Sequence, residues 1–346
     1  MSSPSRRPAA IALGCEGTAL TAAEKTFFAD ANPFGLILFA RNIGAPEAVK
    51  RLVSDFRAVV DRPDAPVFID QEGGRVARLK PPHWPALPPP GRIGALALRD
   101  LGRAETAATL LGRAIGATIQ PLGIDVACAP MADVAAPDAN AQVIGDRAFG
   151  SAPDIVAALA AAEDGALRAA GVATTAKHAP GHGRARVDSH HELPRVAAAE
   201  PELRADLAPF KALTAAPFWM TAHIVYEALD PTLPATCSKI CLDWLRAETG
   251  YDGLILSDDL AMHALPNDPE ANAAKARAAG CDLLLYCPGD LSGGAAAVAG
   301  AGPAGDRLLS QWARWTACRP ATAPMDAFKL AARLWAMLDD IGQPAV

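Results

Sequence analysis

The sequence lacks the features that mark membrane, exported and nucleic-acid-binding proteins. No window approaches the ~20 consecutive apolar residues that a membrane-spanning helix needs. The apolar stretch near the first arginines is short and contains Gly14 and Glu16, unlike the continuous apolar region of a signal peptide. The net charge is -6 and there is no long block of lysine and arginine, so we do not expect a polyanionic partner such as nucleic acid.

The cysteine content argues against a disulfide framework. The seven cysteines are odd in number and lie mostly within apolar runs. Reduced thiols buried in a core are typical of proteins that reside in a reducing compartment. We therefore expect a cytoplasmic protein that has no membrane partner.

What the sequence does contain is enough apolar material for one large core. With 346 residues, 51% of them hydrophobic and 20% charged, the chain has the size of a single α/β barrel. Short apolar runs bounded by turn residues predict buried parallel strands, because strands covered on both faces are continuously apolar. These predicted strands are residues 9–13, 35–39, 66–70, 124–129, 172–176, 218–222, 253–257 and 282–286.

Segments with apolar residues at helical spacing separate these strands. The predicted helices are residues 46–60, 104–119, 153–170, 269–279, 305–316 and 325–341. Eight strands alternating with helices predict an α/β fold, a (β/α)8 TIM-type barrel. We expect residues 1–346 to form this barrel as a single domain.

Two segments break the alternation. Residues 79–98 are rich in proline, and we expect an ordered loop that wraps the barrel. Residues 292–305 are rich in alanine and glycine, and we expect a flexible surface connection. The pattern G-x-G-x-x-G from Gly300 to Gly305 does not indicate dinucleotide binding, because Pro303 interrupts it and no strand follows.

Polar residues collect where the predicted strands end, and that face of an α/β barrel carries the chemistry. The charged residues at these ends are Asp70, Asp133, Lys177, His178, His223, Asp258 and Asp259. An isolated Asp after a strand often only caps the next helix, and an isolated His such as His223 is commonly structural. Their convergence at one mouth is what indicates a functional site.

The segment KHAPGHGRARVDSHH, residues 177–191, allows three interpretations. His178, His182, Asp188 and His190 could ligate a metal, but the first two histidines straddle proline and glycine and do not share a helical turn. The stretch GHGR could cradle a phosphate, but it lacks the P-loop pattern and a helix directly after it.

The third interpretation is acid/base chemistry, and the residues favour it. Asp188 and His190 are two positions apart, so in an extended segment they face the same side and the carboxylate can orient the imidazole. Across the mouth, Asp258 is then a candidate nucleophile that Lys177 and nearby arginines keep ionised.

Several motifs in combination resemble the family 3 glycoside hydrolases, specifically their short, single-domain bacterial β-N-acetylhexosaminidases. The motifs are FIDQEGGRVARL, VIGDRAFG, KHAPGHGRARVDSHHELP and GYDGLILSDDLAM. The resemblance implies removal of a terminal β-linked N-acetylglucosamine (GlcNAc). In the family the substrate is typically GlcNAc-1,6-anhydro-N-acetylmuramic acid and its peptide forms, in peptidoglycan recycling.

The resemblance also implies roles for individual residues. Five would hold the sugar: Asp70, Arg78, Arg147, Lys177 and His178. Asp258, rather than Asp259, would be the nucleophile, and His190 would be the general acid/base that Asp188 orients. The implied reaction is a retaining double displacement in which this His/Asp dyad replaces the usual second carboxylate. A small disaccharide or muropeptide is the implied partner, and no metal or other cofactor is required.

The loop that carries the dyad departs from the family pattern. Ala179 stands where phenylalanine is usual, so a packing contact beneath the loop is either lost or supplied by another side chain. Arg184 and Arg186 make the loop more basic than is typical and would affect the choice of leaving group or the pKa of His190. Gly181 and Gly183 predict a loop that is mobile without ligand.

Two other functional classes stay open at this point. A non-catalytic sugar-binding barrel would be expected to lack Asp258 or the dyad, and the sequence retains both. A metal-dependent amidohydrolase would lose its activity in a strong chelator.

Overall fold

The computed structural model describes residues 6–136, 143–185, 187 and 192–339. Within these ranges, eight strands form a closed barrel in the ring order β1-β8-β7-β6-β5-β4-β3-β2, and every neighbouring pair is parallel. The strands are β1 (Ala9–Leu13), β2 (Pro33–Leu38), β3 (Val67–Ile69), β4 (Val126–Ala127), β5 (Ala173–Ala179), β6 (Phe218–Thr221), β7 (Leu254–Asp259) and β8 (Leu283–Tyr286). The predicted (β/α)8 barrel is confirmed.

Helices surround the barrel. Those of the described ranges are α1 (Ala22–Ala31), α2 (Pro46–Val59), α3 (Pro90–Ala97), α4 (Leu101–Ile119), α5 (Pro153–Ala169), α6 (Glu200–Lys211), α7 (Lys239–Thr249), α8 (Pro269–Ala279), α9 (Leu291–Ala301), α10 (Asp306–Cys318) and α11 (Ala327–Asp339). All six predicted helices are present. None of the helices in the described part of the chain combines the length and apolar character that crossing a membrane requires.

Two strands extend further than their apolar runs, and this places polar residues on rigid backbone. Strand β5 continues through Lys177 and His178, and β7 continues through Asp258 and Asp259. Strand residues are positioned by the barrel's hydrogen-bond ladder, whereas loop residues depend on their own local contacts. These four charged or titratable side chains therefore stand on the barrel strands themselves and not on loops.

The proline-rich segment 79–98 is only partly a loop, because residues 90–97 form helix α3. Pro89 and Pro90 occupy the N-cap and first helical positions, where the missing N–H is not needed for helix hydrogen bonds. Gly94 allows the helix to pack closely, since a Cβ atom there would lie 1.4 Å from the Phe149 carbonyl oxygen. The prediction of a loop throughout is wrong for this half.

The prediction of a flexible connection at 292–305 is also wrong, because residues 291–301 form helix α9. The Asp290 side chain caps it by accepting a hydrogen bond from the Gly293 N–H at 2.7 Å. A Cβ atom at Gly300 would lie 2.1 Å from the Glu270 carbonyl oxygen, so glycine permits close packing against α8. Tertiary contact overrides the low helix propensity of glycine here.

Large apolar side chains fill the barrel and close the end at which its strands begin, here called the lower end. The Phe68 and Phe218 rings meet edge-on inside it with centroids 5.6 Å apart. Trp312 of α10 contacts both Phe34 and Phe218 with ring centroids 6.2 Å away, and thereby plugs the end at which the strands begin. The opposite end, where the strands finish, remains available for a pocket.

Candidate active site

Asp70, which directly follows β3, holds two cations at the mouth of the barrel. Its Oδ1 lies 2.7 Å from Lys177 Nζ, and its Oδ2 lies 2.9 Å from Arg78 Nη2. Burial disfavours the charged carboxylate, but Lys177 and Arg78 outweigh this effect and hold the pKa of Asp70 well below its usual value. The three residues, all predicted sugar ligands, form one ionised cluster.

Glu72 extends this cluster, although the sequence analysis gave it no role. Its fully buried carboxylate accepts two hydrogen bonds from Arg147, at 2.8 and 2.9 Å, and lies 2.7 Å from Lys177 Nζ. Burial opposes its ionisation, but the Arg147 and Lys177 charges lower the pKa of Glu72 to about 2. Glu72 thus holds Arg147 in a bidentate pair and also contacts Lys177, so it links two of the predicted sugar ligands.

Asp133, in the segment after β4, is a completely buried carboxylate that contacts His178 and His182. It accepts hydrogen bonds from the His178 N–H at 3.0 Å and the His182 N–H at 2.7 Å, and its Oδ2 lies 2.8 Å from His178 Nδ1. Burial opposes ionisation, but His178 and then His182 lower the pKa of Asp133 to about 2. The sequence placed Asp133 at the mouth without predicting these partners.

The adjacent carboxylates of Asp258 and Asp259 have different environments. Asp258 lies with its Oδ2 4.0 Å from His178 Nε2, and its Oδ1 accepts the Asp259 N–H at 2.8 Å. Burial would raise the pKa of Asp258, but His178 and His223 keep it below its usual value. The expected help from Lys177 is a smaller contribution, and no arginine is among the principal causes.

The Asp259 carboxylate instead accepts hydrogen bonds from backbone N–H groups. Its Oδ1 accepts hydrogen bonds from the Ala261 and Cys287 N–H groups, each at 3.0 Å. Burial raises the pKa of Asp259 to about 6 despite these donors, and the neighbouring Asp258 charge adds to the rise. Of the two, Asp258 is the carboxylate that is ionised over a wide pH range.

His223 has the environment of a structural histidine. It is completely buried, its Nδ1 lies 2.8 Å from Thr236 Oγ1, and its Nε2 lies 2.9 Å from the Asp259 carbonyl oxygen. Both ring nitrogens are engaged, which agrees with the interpretation that the sequence favoured.

A pocket of about 270 Å³ opens above these groups. The ionised residues form its polar wall. Apolar side chains form the rest, chiefly Ile37, Phe39, Val143, Met220, Met262 and Leu285. Six predicted site residues line it together: Asp70, Arg78, Arg147, Lys177, His178 and Asp258. His182 also lines it, and burial lowers the pKa of that imidazole to about 4, so it is neutral near pH 7.

The other two predicted catalytic residues, Asp188 and His190, lie outside the described residues, as does Arg186. The base of their loop is described and is tightly packed. A Cβ atom at Gly183 would lie 1.7 Å from the Val134 carbonyl oxygen, and the Tyr226 hydroxyl donates to the Gly181 carbonyl at 2.9 Å. These glycines therefore permit close packing at the base of the loop. The prediction that the loop is mobile without ligand concerns residues outside the described ones and stays a prediction.

Arg184 does not project its charge into the pocket. Its Nε lies 2.5 Å from Asp206 Oδ2 and its Nη1 lies 3.2 Å from Glu202 Oε1. These carboxylates of α6 offset the charge of Arg184, one of the two arginines that make the loop basic.

Metal binding finds no support in the described part of the chain, where no group of three or more His, Cys, Asp and Glu side chains could hold an ion. The interpretation relied on four ligands. Of these, His178 has its Nδ1 engaged by Asp133 and His182 lines the pocket, while Asp188 and His190 lie outside the described residues.

Several proteins are similar to this chain in sequence or in structure. The chain is 40% identical over 283 residues to a β-hexosaminidase of Alkalilimnicola ehrlichii, covering 80% of this chain and 79% of that protein. It is 39% identical over 277 residues to a β-hexosaminidase of Pseudomonas aeruginosa, covering 78% and 80%. Native NagZ from Neisseria gonorrhoeae superposes with a TM-score of 0.84 at 31% identity, covering 96% of this chain and 99% of that one.

A second structure of the Neisseria protein, in complex with N-trifluoroacetyl-D-glucosamine, superposes with a TM-score of 0.85 at 30% identity, covering 97% of this chain and 100% of that one. A model of the family described as the glycosyl hydrolase family 3 N-terminal domain matches residues 12–306. The resemblance drawn from the sequence motifs is thus confirmed. Because the match takes in most of the chain, this protein belongs to glycosyl hydrolase family 3.

Proposed function

We propose that this family 3 glycosidase is a retaining β-N-acetylglucosaminidase that uses Asp258 as its nucleophile. The observation that carries the proposal is the position of Asp258, an ionised carboxylate at the end of β7 that faces a pocket lined by ionised hydrogen-bonding residues. A carboxylate with a lowered pKa in this position can attack an anomeric carbon without first losing a proton.

The two walls of the pocket match the two parts of an N-acetylated sugar. Asp70, Arg78 and Lys177 present charged donors and acceptors that suit sugar hydroxyl groups. The Arg78 side chain lines the pocket and is 23% exposed, so its guanidinium can donate to a sugar oxygen. On the apolar wall, Met220 and Met262 suit the methyl group of an acetamido substituent.

The reaction proceeds in two displacements. Asp258 forms a bond to the anomeric carbon as the bond to the leaving oxygen breaks, and His190, oriented by Asp188, gives that oxygen a proton. His190 then removes a proton from water, which displaces Asp258 and releases the sugar with its β configuration retained. Every step uses groups of this chain and water.

The same proposal extends to the natural substrate and the setting. GlcNAc-1,6-anhydro-N-acetylmuramic acid and its peptide-bearing forms are the disaccharides that we assign to the enzyme, in cytoplasmic peptidoglycan recycling. Residues 1–346 act as one domain in this assignment. Support comes from the β-hexosaminidase relatives, which align over most of their own length.

The test compares 4-nitrophenyl N-acetyl-β-glucosaminide with the corresponding β-glucoside. We expect the acetamido sugar to be preferred by about 10²-fold or more in kcat/KM, because the glucoside leaves the acetamido contacts unmade. Equal rates would contradict the N-acetyl assignment. Activity should persist in excess EDTA, and its loss there would favour a metal-dependent hydrolase. Release of GlcNAc from the anhydro disaccharide tests the natural substrate.

A further inference from the structure

The Asp133 carboxylate holds three donors that belong to the pocket wall and to the base of the dyad loop. Two are the backbone N–H groups of His178 and His182, both on Oδ1, and the third is the His178 ring nitrogen Nδ1, on Oδ2. Asp133 is completely buried, so water does not compete for these contacts. The sequence motifs assign this residue no role.

The chemistry of the donors fixes the tautomer of His178. An ionised carboxylate only accepts hydrogen bonds, so the proton at this contact must reside on Nδ1 of the imidazole. In the neutral ring, Nε2 then carries the lone pair, and this nitrogen lies 4.0 Å from Asp258 Oδ2 in the pocket. The ring therefore offers an acceptor, rather than a donor, on the side where the sugar and the nucleophile meet.

We propose that Asp133 is a positioning residue that holds His178 in its Nδ1–H tautomer and thereby presents Nε2 as a hydrogen-bond acceptor beside Asp258. In this tautomer a sugar hydroxyl donates to Nε2, and the neutral ring offers no N–H to the nucleophile. In the opposite tautomer the Nε2–H group would turn towards Asp258, and a hydrogen bond there would weaken attack on the anomeric carbon. This inference rests on the proposed function for its effect on rate, but the tautomer itself does not.

The same carboxylate links this ring to the base of the loop that carries Asp188 and His190. His182 N–H is held 2.7 Å from Asp133, and the next residues are fixed by the Ala136 N–H, which donates to the Gly183 carbonyl at 3.1 Å. Asp133 thus positions both His178, near the end of β5, and His182, at the base of the loop.

The first experiment measures the tautomer directly in the whole protein. The chain contains seven histidines, and ¹⁵N labelling of histidine alone gives a small set of ring signals, with His178 assigned by its loss in His178→Gln. At a pH where the spectrum shows a neutral ring, we expect a protonated Nδ1 and a bare Nε2. A proton on Nε2 alone would overturn the proposal, with no variant of Asp133 needed.

The second experiment changes the tautomer with little change of shape. In Asp133→Asn the amide oxygen can still accept both backbone N–H groups, while its NH₂ donates to Nδ1 and forces the proton onto Nε2. We expect the reversed ¹⁵N pattern, an unchanged melting temperature within a few degrees, and kcat/KM lower by about 10- to 100-fold, with kcat reduced as well as KM raised. An unchanged kcat/KM in a protein with the reversed pattern would overturn the proposal.

Asp164→Asn provides the matched control. Asp164 is also a buried carboxylate, but it lies outside the pocket, where it accepts from Thr174 Oγ1 at 2.5 Å and Arg168 Nε at 2.8 Å. It should leave the His178 signal and kcat/KM per folded molecule unchanged, and a loss equal to that of Asp133→Asn would overturn the assignment. If the wild-type protein failed to hydrolyse the N-acetyl substrate, the proposed function would fail while the tautomer could still be read.

Discussion

Both ends of the barrel contain an aspartate that holds two cations, but the two clusters have different surroundings. At the mouth, Asp70 binds Lys177 and Arg78 at 2.7 and 2.9 Å beside an open pocket. At the opposite end, Asp125, just before β4, binds Arg57 and Arg319 at 2.7 and 2.8 Å. The charges and distances are nearly the same.

The two clusters differ in the partners of their remaining hydrogen-bonding groups. At the lower end it goes to backbone: the Val67 N–H donates to Asp125 at 2.9 Å, Arg57 donates to the Ala65 and Gly123 carbonyls, and Arg319 donates to the Gly171 carbonyl. At the mouth, Asp70, Arg78 and Lys177 all line the pocket. The lower cluster therefore ties the chain together, and the upper one keeps donors for a ligand. The contrast predicts that equivalent substitutions separate activity from stability.

The largest effect should come from Asp258→Asn at the mouth. Without a nucleophile no glycosyl-enzyme can form, so we expect kcat to fall by about 10⁴-fold or more with little change in the melting temperature. Asp259→Asn is the control, since Asp259 serves the backbone N–H groups of Ala261 and Cys287. A mild effect at Asp258 together with a severe one at Asp259 would reverse the assignment.

Asp70→Asn should have the next largest effect. The amide weakens the contacts to Lys177 and Arg78 and removes a charged acceptor for sugar hydroxyls, so we expect kcat/KM to fall by about 10²-fold. The free energy of unfolding should also fall, because the lowered pKa of Asp70 shows that the fold favours its charge, but Lys177 keeps Glu72 as a partner and this limits the loss. Steady-state kinetics and urea unfolding on the same preparation check both statements, and a stable but fully active variant would contradict the role of the cluster.

Asp125→Asn should show the opposite behaviour. Two arginines lose their shared partner, and we expect the free energy of unfolding to fall by about 1–3 kcal/mol, while kcat/KM per folded molecule stays unchanged. If this variant lost activity without losing stability, the two ends of the barrel would not divide their roles as described.

The raised pKa of Asp259 leads us to expect a smaller effect, on how the free energy of unfolding depends on pH. Its pKa is raised to about 6 in the folded protein, from about 3.9 in an unfolded chain. A raised pKa contributes stability that is fully present below the unfolded value and is lost as the pH rises through the folded value. In the wild-type protein the unfolding free energy should therefore fall between pH 4 and pH 6.5, and Asp259→Asn should reduce this fall by about 2 kcal/mol. Unfolding curves at several pH values test this, and parallel curves would contradict it.

The sequence predicted the barrel because buried parallel strands are continuous apolar runs, and all eight lie where such runs occur. It failed where packing decides: α9 was missed because glycine and alanine suggest a loop, yet Gly300 is what allows α9 to approach α8. Helix α3 was missed because Pro89 and Pro90 suggest a loop, although both positions at a helix start accept proline.

The candidate site shows the same limit. Motifs identified six residues that the structure brings to one pocket, while Asp188 and His190 stay predictions. Glu72 and Asp133 were missed as partners because their contacts join residues far apart in the chain, such as Glu72 with Arg147 and Asp133 with His178. Only closure of the barrel brings those pairs together. In the sequence, the one sign of a role for Glu72 was its position, two residues after Asp70 in the same motif.

The covalent intermediate offers the most direct test that the mouth carries the chemistry through Asp258. A 5-fluoro-N-acetylglucosaminyl fluoride slows both displacements and allows the intermediate to accumulate. After digestion, mass spectrometry with fragmentation locates the sugar on one residue of the 253–262 segment, where Asp258 and Asp259 are adjacent. We predict a single adduct on Asp258 that forms at the rate of inactivation and is absent from Asp258→Asn. An adduct on Asp259 or elsewhere, or turnover with no adduct at all, would contradict this account.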